Sequence, residues 1–299
     1  MEIAEMKKDV DVDKILEELQ SKDYFVKSDN SFDVIILKIN NPAFKLVSKN
    51  SYDIKILGKS MLDWVKSAVE GFNVKELECE ITSSIFDVVK PYLTNSKYTI
   101  ILYADTPLLT KNTINDIVTY VIGKGLKVCK LNRGYVFDTE YLKTCEKVYS
   151  LNTYSFNEQD FMPAINFNEL NKITAVLQYR IIEFHLNNGV QLIKPETLTI
   201  EADVVIGNNV VIYPFNELIG ETAISDNVIL YSGNTIIDSL IFKNTTIEKS
   251  YINKSVIKED CNILPFCNIY NNSLVNAGNT LASTVLNHKE IKWWLSYLG

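Results

Sequence analysis

Glycine is scarce in this sequence. The 299 residues contain 11 glycines, about 4%, where an average protein has roughly 7%. The first of them is Gly58, and proline is also scarce, with seven residues. A backbone that approaches a phosphate closely usually relies on glycine. The sequence therefore disfavours any activity that needs a glycine-rich phosphate loop near the N-terminus.

Histidine and paired cysteines are nearly missing as well. The two histidines are His185 and His288, and the five cysteines are scattered without a Cys-x-x-Cys pair. A histidine-rich zinc site is therefore disfavoured. We expect the cysteines to be reduced thiols, buried as small apolar side chains.

Basic charge and long apolar runs are also lacking. Lysine and arginine number 30 against 37 acidic residues, which gives a formal charge of −7 and a pI near 5.1. This balance argues against a nucleic-acid partner, which needs a dense basic surface. The first residues do not resemble a signal peptide, and no apolar run is long enough to span a membrane. We predict a cytoplasmic protein with a small soluble substrate or partner and no membrane association.

The length of the chain indicates about two domains, and two periodicities meet near residue 190. Apolar runs alternate with helical spacing in the first half. Strands are predicted at residues 33–39, 98–103 and 125–131, and helices at 13–19, at 60–69, from Thr110 or Asn112 onward, and at 166–188. Strands that alternate with helices predict an α/β domain over residues 1–188, with a mostly parallel sheet and helices on both faces.

The second half contains a hexapeptide repeat. Aliphatic residues recur in steps of six or five at Ile200, Ile206, Ile212, Leu218, Ile224, Leu230, Ile236, Ile241, Ile247, Ile252, Ile257, Ile263, Ile269 and Leu274. Smaller or polar residues follow four positions later, at Val204, Val210, Asn216, Thr222, Val228, Asn234 and Thr245. This pattern predicts a parallel β-helix of four to five coils over residues 189–299. The alternative, an antiparallel sandwich, requires hairpin turns such as Asn-Gly, and residues 190–299 contain none.

The end of the chain and the edges of the β-helix suggest contacts. Residues 288–298 have the spacing of a short amphipathic helix, which would cap the last coil or contact another subunit. A short β-helix exposes its ends and flanks, so we expect self-association.

Several segments resemble one bacterial family, the bifunctional N-acetylglucosamine-1-phosphate uridyltransferases and glucosamine-1-phosphate acetyltransferases, whose first activity is that of a UDP-N-acetylglucosamine pyrophosphorylase. The similar segments are ILYADTPLL at 101–109, GKSM at 58–61, RIIE at 180–183, NGV at 188–190, PET at 195–197 and IG at 206–207. The resemblance extends from about residue 33 to the end of the sequence. It implies a Rossmann-like nucleotidyltransferase domain followed by a left-handed parallel β-helix, and a homotrimer.

The phosphate loop of that family is altered here. Asn40 and Pro42 stand where the family has two glycines, Phe44 replaces its arginine, and Ser51 replaces a later lysine. Pro42 has no N–H to offer a phosphate. We expect a shortened, divergent member whose phosphate loop is degraded, and the sequence assigns no catalytic residue.

Other positions match the family's ligand-binding residues. Lys45 and Lys49 lie close enough to the altered loop for one of them to bind substrate, or both belong to a solvated surface. Asn132 matches an asparagine that contacts the sugar. The resemblance implies that Asp105 and Asn166 hold Mg²⁺. The structural alternatives are a turn residue for Asp105 and a helix cap for Asn166.

The acetyltransferase residues are replaced. Tyr270 stands for an arginine of the family, Leu281 for a lysine, and Trp294 for the histidine that would act as general base. We therefore expect no acetyl transfer. Two functions stay open: a reduced sugar-1-phosphate nucleotidyltransferase, and a catalytically inactive relative that serves as a sugar-nucleotide sensor or scaffold. Sugar phosphates and nucleotides are the expected ligands of both.

Overall fold

The computed structural model describes residues 31–80, 84–147, 152–155 and 157–287. The predicted helices at 13–19 and 288–298 lie outside these residues, as does Trp294. The chain divides into two compact units between Leu177 and Gln178, a sheet unit and a solenoid unit.

The sheet unit is built on short strands, most of which pair in one sheet. Its strands are β1 Phe32–Ile39, β2 Lys55–Ile56, β3 Lys59–Ser60, β4 Asn73–Cys79, β5 Tyr98–Tyr103, β6 Val128–Leu131 and β7 Gly134–Asp138. Five of them form one sheet in the order β4-β1-β5-β7-β6, while β2 and β3 pair separately. Strand β1 is parallel to β4 and β5, and β7 is antiparallel to both β5 and β6. The predicted strands at 33–39 and 98–103 are confirmed, whereas the strand predicted at 125–131 begins only at Val128, because Gly125 ends the preceding helix. Strands β4 and β7 were not predicted, and β7 makes the sheet mixed.

Helices cover both faces of this sheet, as predicted: α1 Met61–Ala68 and α3 Lys111–Lys124 on one face, α2 Ile85–Val89 and α4 Thr139–Thr144 on the other. A fifth helix, α5 Phe167–Asn187, contributes Ile173 and Leu177 to a separate core with Phe44 and Met61. Short 3₁₀ turns occupy Pro42–Phe44, Ser51–Asp53, Lys90–Tyr92, Glu158–Phe161 and Pro195–Thr197. Of the two predicted starts for α3, the structure uses Thr110, whose hydroxyl accepts a hydrogen bond from the Thr113 N–H.

The continuous apolar run of β1 is explained by burial on both sides. Val34 and Ile36 belong to a core that includes residues of α1 and α3. Ile35 and Leu37 point the other way, into a core with Val89 of α2 and Leu142 of α4. Successive side chains of a strand alternate between faces, so a strand covered on both faces is apolar throughout.

The solenoid unit is a parallel β-helix with about five coils. Its short strands stack in three parallel sheets: Gln191–Leu192, Val211–Ile212, Ile229–Leu230, Thr246–Ile247, Asn262–Ile263 and Thr280–Leu281; then Thr199–Ile200, Glu217–Ile219, Thr235–Ile237, Tyr251–Asn253, Asn268–Tyr270 and Val285–Asn287; and Val205–Ile206, Ala223–Ile224, Leu240–Ile241, Val256–Ile257 and Leu274–Val275. The predicted aliphatic positions from Ile200 to Ile269 are all buried in one core.

The last predicted position, Leu274, is wrong. Its side chain is 42% exposed, and Val275 is buried in its place at 2%. The corner before it carries two residues with positive φ, Asn271 and Asn272, whereas the five-residue step after Ile252 has only Lys254 in this conformation. The extra corner residue lengthens the step from five to six and moves the inward position by one.

The smaller or polar residues four positions after the aliphatic ones are also buried, and the polar ones form hydrogen bonds inside the β-helix. Asn234 is fully buried; its Nδ2 donates to Asn216 Oδ1 at 2.8 Å, and its Oδ1 accepts from the Ser250 N–H at 3.0 Å. The five cysteines are free and buried, as expected. Within the described residues, no helix is long and apolar enough to cross a membrane.

Candidate functional site

The carboxyl ends of β1 and β5 lie side by side and define the candidate site. The two strands are parallel, Leu37 pairs with Tyr103, and the Ala104 N–H donates to Leu37 O. The loop that begins at Asn40 and the loop that contains Asp105 therefore leave the same edge of the sheet. Open α/β sheets bind ligands at this edge.

Asp105 forms a two-point ion pair with Arg133. Arg133 Nε donates to Asp105 Oδ1 at 2.7 Å, and an Nη donates to Oδ2 at 2.5 Å. The guanidinium carbon also lies 4.5 Å from the centre of the Tyr103 ring. The side chains of Asp105 and Arg133 are 18% and 31% exposed, so the pair is partly shielded from water. Burial raises the pKa of the Tyr103 phenol, while the charge of Arg133 opposes that shift.

Arg133 was not predicted as a site residue, and its place follows from a hairpin. Asn132 and Arg133 form the two-residue turn between β6 and β7, and Gly134 begins β7 beside β5. The turn residues therefore lie next to the segment that follows Tyr103 of β5. The short connection between two apolar runs could have indicated this hairpin.

Asn166 caps a helix. Its Oδ1 accepts a hydrogen bond from the Glu169 N–H at 2.9 Å at the start of α5. The segment just before it is joined to the aspartate loop, because the Ala164 N–H donates to Asp105 O at 2.8 Å. The structure thus brings the chain around Asn166 to Asp105, with the Asn166 side chain used locally.

The loop after β1, residues 40–51, is closed by hydrogen bonds of its own asparagines. Asn40 Nδ2 donates to Lys49 O at 2.9 Å, and Asn40 Oδ1 accepts from the Ser51 N–H at 2.9 Å. The Asn41 N–H donates to Ser51 Oγ at 2.8 Å, and Asn41 Nδ2 donates to Ile165 O at 2.9 Å. These bonds connect the two ends of the loop and tie it to the segment before α5.

The backbone donors of this loop are largely used inside it. The N–H groups that bond to loop acceptors are those of Asn41, Ala43, Phe44, Lys45, Val47, Ser48 and Ser51. Pro42 has no N–H. Phe44 is fully buried and contacts Phe167 edge-on at 5.0 Å between ring centres. The side chain in the position of the family's arginine thus serves as an apolar anchor for the loop.

The remaining predicted binding residues lie on the surface. Lys45 and Lys49 are exposed in the closed loop. Asn132 is exposed in the hairpin turn, directly before Arg133. The fold therefore places Asn132 beside the ion pair, on the same edge of the sheet.

A polar cluster beside the loop is occupied by internal contacts. Lys38 Nζ lies 3.0 Å from Glu78 Oε1, and the Tyr52 hydroxyl donates to the same carboxylate. The hydrogen bond to Glu78 raises the pKa of Lys38, and burial raises the pKa of Tyr52. These contacts hold Tyr52 against β1 and β4.

The donors predicted for Mg²⁺ do not fit the ion as they are arranged. Both carboxylate oxygens of Asp105 accept bonds from Arg133, and Asn166 Oδ1 accepts from the helix backbone. A hard cation needs several oxygen ligands that are not already engaged. Across residues 31–287, where the structure describes them, no group of three or more His, Cys, Asp or Glu side chains could hold a metal ion.

Comparison with known proteins identifies relatives of one kind. No protein-family model matches the sequence. The chain is 37% identical over 140 residues to the bifunctional protein GlmU of Clostridium acetobutylicum. This match covers 44% of this chain and 30% of the relative. The chain is 32% identical over 134 residues to the GlmU of Lactobacillus delbrueckii subsp. bulgaricus, covering 44% and 29%. A longer match to the GlmU of Lactobacillus helveticus is 23% identical and covers 77% of this chain and 70% of the relative. The first two matches span less than a third of the relatives' length.

Proposed function

We propose that this chain, a divergent relative of the bifunctional GlmU proteins, is a UDP-N-acetylglucosamine pyrophosphorylase-related protein that binds a sugar phosphate or nucleotide without transferring the nucleotidyl group. The ligand would bind at the carboxyl edge of the sheet, beside Asp105, Asn132 and Arg133. This is the catalytically inactive alternative, a sugar-nucleotide sensor.

The closed loop after β1 is the observation that carries the proposal. Nucleotidyl transfer requires N–H donors and positive charge aimed at the phosphates, because charge develops on the pyrophosphate that leaves. In this chain the Asn40 side chain bonds to both Lys49 O and the Ser51 N–H. Phe44 is buried where the resemblance expects an arginine. Binding can persist through the sheet edge, but the stabilisation of the leaving group is lost.

An active nucleotidyltransferase is the second candidate. It is favoured by the position of Asp105 directly after β5 and by the 2.8 Å bond from the Ala164 N–H to Asp105 O, which brings the chain before Asn166 to the site. In this function Asp105 and Asn166 would hold Mg²⁺, Lys45 or Lys49 would contact phosphate, and Asn132 would contact the sugar. It requires Asp105 to leave Arg133.

Titration and turnover together separate the two candidates. Isothermal titration with UDP-N-acetylglucosamine and with UTP, each with and without Mg²⁺, measures binding. Release of pyrophosphate from UTP and N-acetylglucosamine 1-phosphate measures turnover. The proposal expects binding of at least one nucleotide and no turnover. Turnover that Asp105→Ala abolishes would establish the second candidate, and a complete lack of binding would refute a ligand-binding role.

The proposal has two further parts, a homotrimer and the absence of acetyl transfer, and the surface of the β-helix supports the first. Tyr213 and Tyr231 stack at 5.4 Å on its surface, and Phe215 and Phe266 are 67% and 72% exposed. Apolar surface of this kind is typical of subunit contacts. Sedimentation at micromolar concentration tests it. Phe266→Asn should weaken a trimer without unfolding the coil, since φ is 69° there and asparagine tolerates this conformation.

The cytoplasmic location and the sugar-phosphate or nucleotide partner stay part of the same proposal.

A monomer at micromolar concentration would contradict the trimer. Acetylation of glucosamine 1-phosphate by acetyl-coenzyme A would contradict the absence of acetyl transfer.

A further inference from the structure

Three features hold the Arg133 guanidinium against Asp105: the position of its backbone, its packing on Tyr103, and its charge. Gly134, the next residue, has φ +127°, and a Cβ there would lie 2.4 Å from Ile101 O. The hairpin therefore approaches β5 as closely as glycine allows. The guanidinium carbon of Arg133 lies 4.5 Å from the centre of the Tyr103 ring, which packs against it.

This arrangement gives each oxygen of the Asp105 carboxylate a charged N–H donor. A planar guanidinium matches the two oxygens of a carboxylate, and each oxygen of Asp105 accepts one N–H bond. A divalent ion that binds here must either displace the guanidinium from the carboxylate or lie beside its positive charge. Water screens this repulsion only in part, because the two side chains are 18% and 31% exposed.

We propose that Arg133 is a built-in cation that takes the place of a divalent metal at Asp105, so that ligands bind this edge of the sheet independently of metal. The inference deepens the proposed function and rests on it for the presence of a ligand. The exclusion of metal is a property of the protein alone. It can therefore be tested with Mn²⁺ as the probe and without any nucleotide.

The matched variants follow from the geometry. Arg133→Met removes the charge and the N–H donors but keeps an apolar stem over Tyr103. Arg133→Met combined with Asp105→Asn removes the carboxylate as well. Mn²⁺ binding is measured on the full chain by electron paramagnetic resonance of the free ion. The wild type should bind Mn²⁺ at this site weakly or not at all. Arg133→Met should bind it at least roughly tenfold more tightly than the wild type or than the weakest binding the method detects, because the like charge is gone, and the double variant should lose that gain.

Two results would overturn the inference. One is Mn²⁺ binding by the wild type that Asp105→Asn removes, and the other is a folded Arg133→Met variant that gains no Mn²⁺ affinity. If Arg133→Met does not fold, nitrogen-15 NMR spectra of the wild type provide a second test. The Arg133 Nε–H signal should be protected from exchange and unchanged by millimolar Mg²⁺, and Asp105→Asn should abolish the protection. A Nε–H signal that Mg²⁺ shifts or broadens refutes the inference, whereas failure of nucleotide binding refutes only the proposed function.

Discussion

Gly134 Cα lies so close to the carbonyl of Ile101 that a Cβ on this residue would be 2.4 Å from the oxygen. The contact is between backbone atoms of paired strands, so neither partner can rotate away. It sets the distance of the β6–β7 hairpin from β5 and, through the chain, the position of Arg133.

Gly134→Ala should therefore destabilise the protein by about 2 kcal/mol or more, because the new Cβ clashes and φ of +127° is strained for alanine. Urea denaturation measures the free energy of unfolding. Gly125→Ala is the matched control: φ is +58° and no atom lies within 4 Å of the new Cβ, so a cost of only about 1 kcal/mol is expected. Equal costs at the two positions would contradict the role of the close approach.

The place of Arg133 marks the limit of what this sequence predicts. Continuous apolar runs predicted β1 and β5 because both faces of these strands are covered. The short connection after β6 could have indicated a hairpin, but the antiparallel addition of β7 beside β5 depends on contacts between distant segments. Nothing in the residues around Asp105 indicates the guanidinium that they meet.

The conformation of the loop after β1 could not be predicted from the sequence. Asn40 and Pro42, at the positions of two glycines in the resembled family, predict that this loop does not hold a phosphate, and that stays a prediction. The sequence did not indicate that the Asn40 side chain would bond across the loop to Lys49 O and the Ser51 N–H. Side-chain hydrogen bonds of this kind depend on the loop conformation, which the composition does not determine.

Replacement of Asn234, which is buried inside the β-helix, should destabilise the protein. Asn234→Ala leaves the Ser250 N–H without the oxygen at 3.0 Å and removes the amide that donates to Asn216 Oδ1. Since these groups are buried, a loss of about 3 kcal/mol in the free energy of unfolding is expected by urea denaturation. Asn234→Thr is the matched control, because Thr222, at another corner of the same coil, accepts the Ser239 N–H of the next coil with its hydroxyl. A smaller loss with alanine than with threonine would contradict this account.

The last coil allows a direct test of its register. Val275→Ala should cost about 2 kcal/mol because the side chain is 2% exposed and its removal leaves a cavity. Leu274→Ala should change stability by no more than about 0.5 kcal/mol because Leu274 is 42% exposed. Thermal unfolding of both variants measures the difference. A larger loss of stability for Leu274→Ala than for Val275→Ala would show that Leu274 points inward, as the five-residue spacing predicts.

His185 should make stability depend on pH. It is 3% exposed in α5, and burial lowers its pKa from 6.5 to about 4. Between these values the unfolded chain binds a proton that the folded chain does not, so the stabilisation is complete above pH 6.5 and is lost as the pH falls towards 4. The loss between pH 7 and pH 5 should be about 2 kcal/mol. Urea denaturation of the wild type and of His185→Gln at both pH values measures it, since other titrating groups cancel in the difference. A difference that is the same at both pH values would show that His185 is not held neutral by burial.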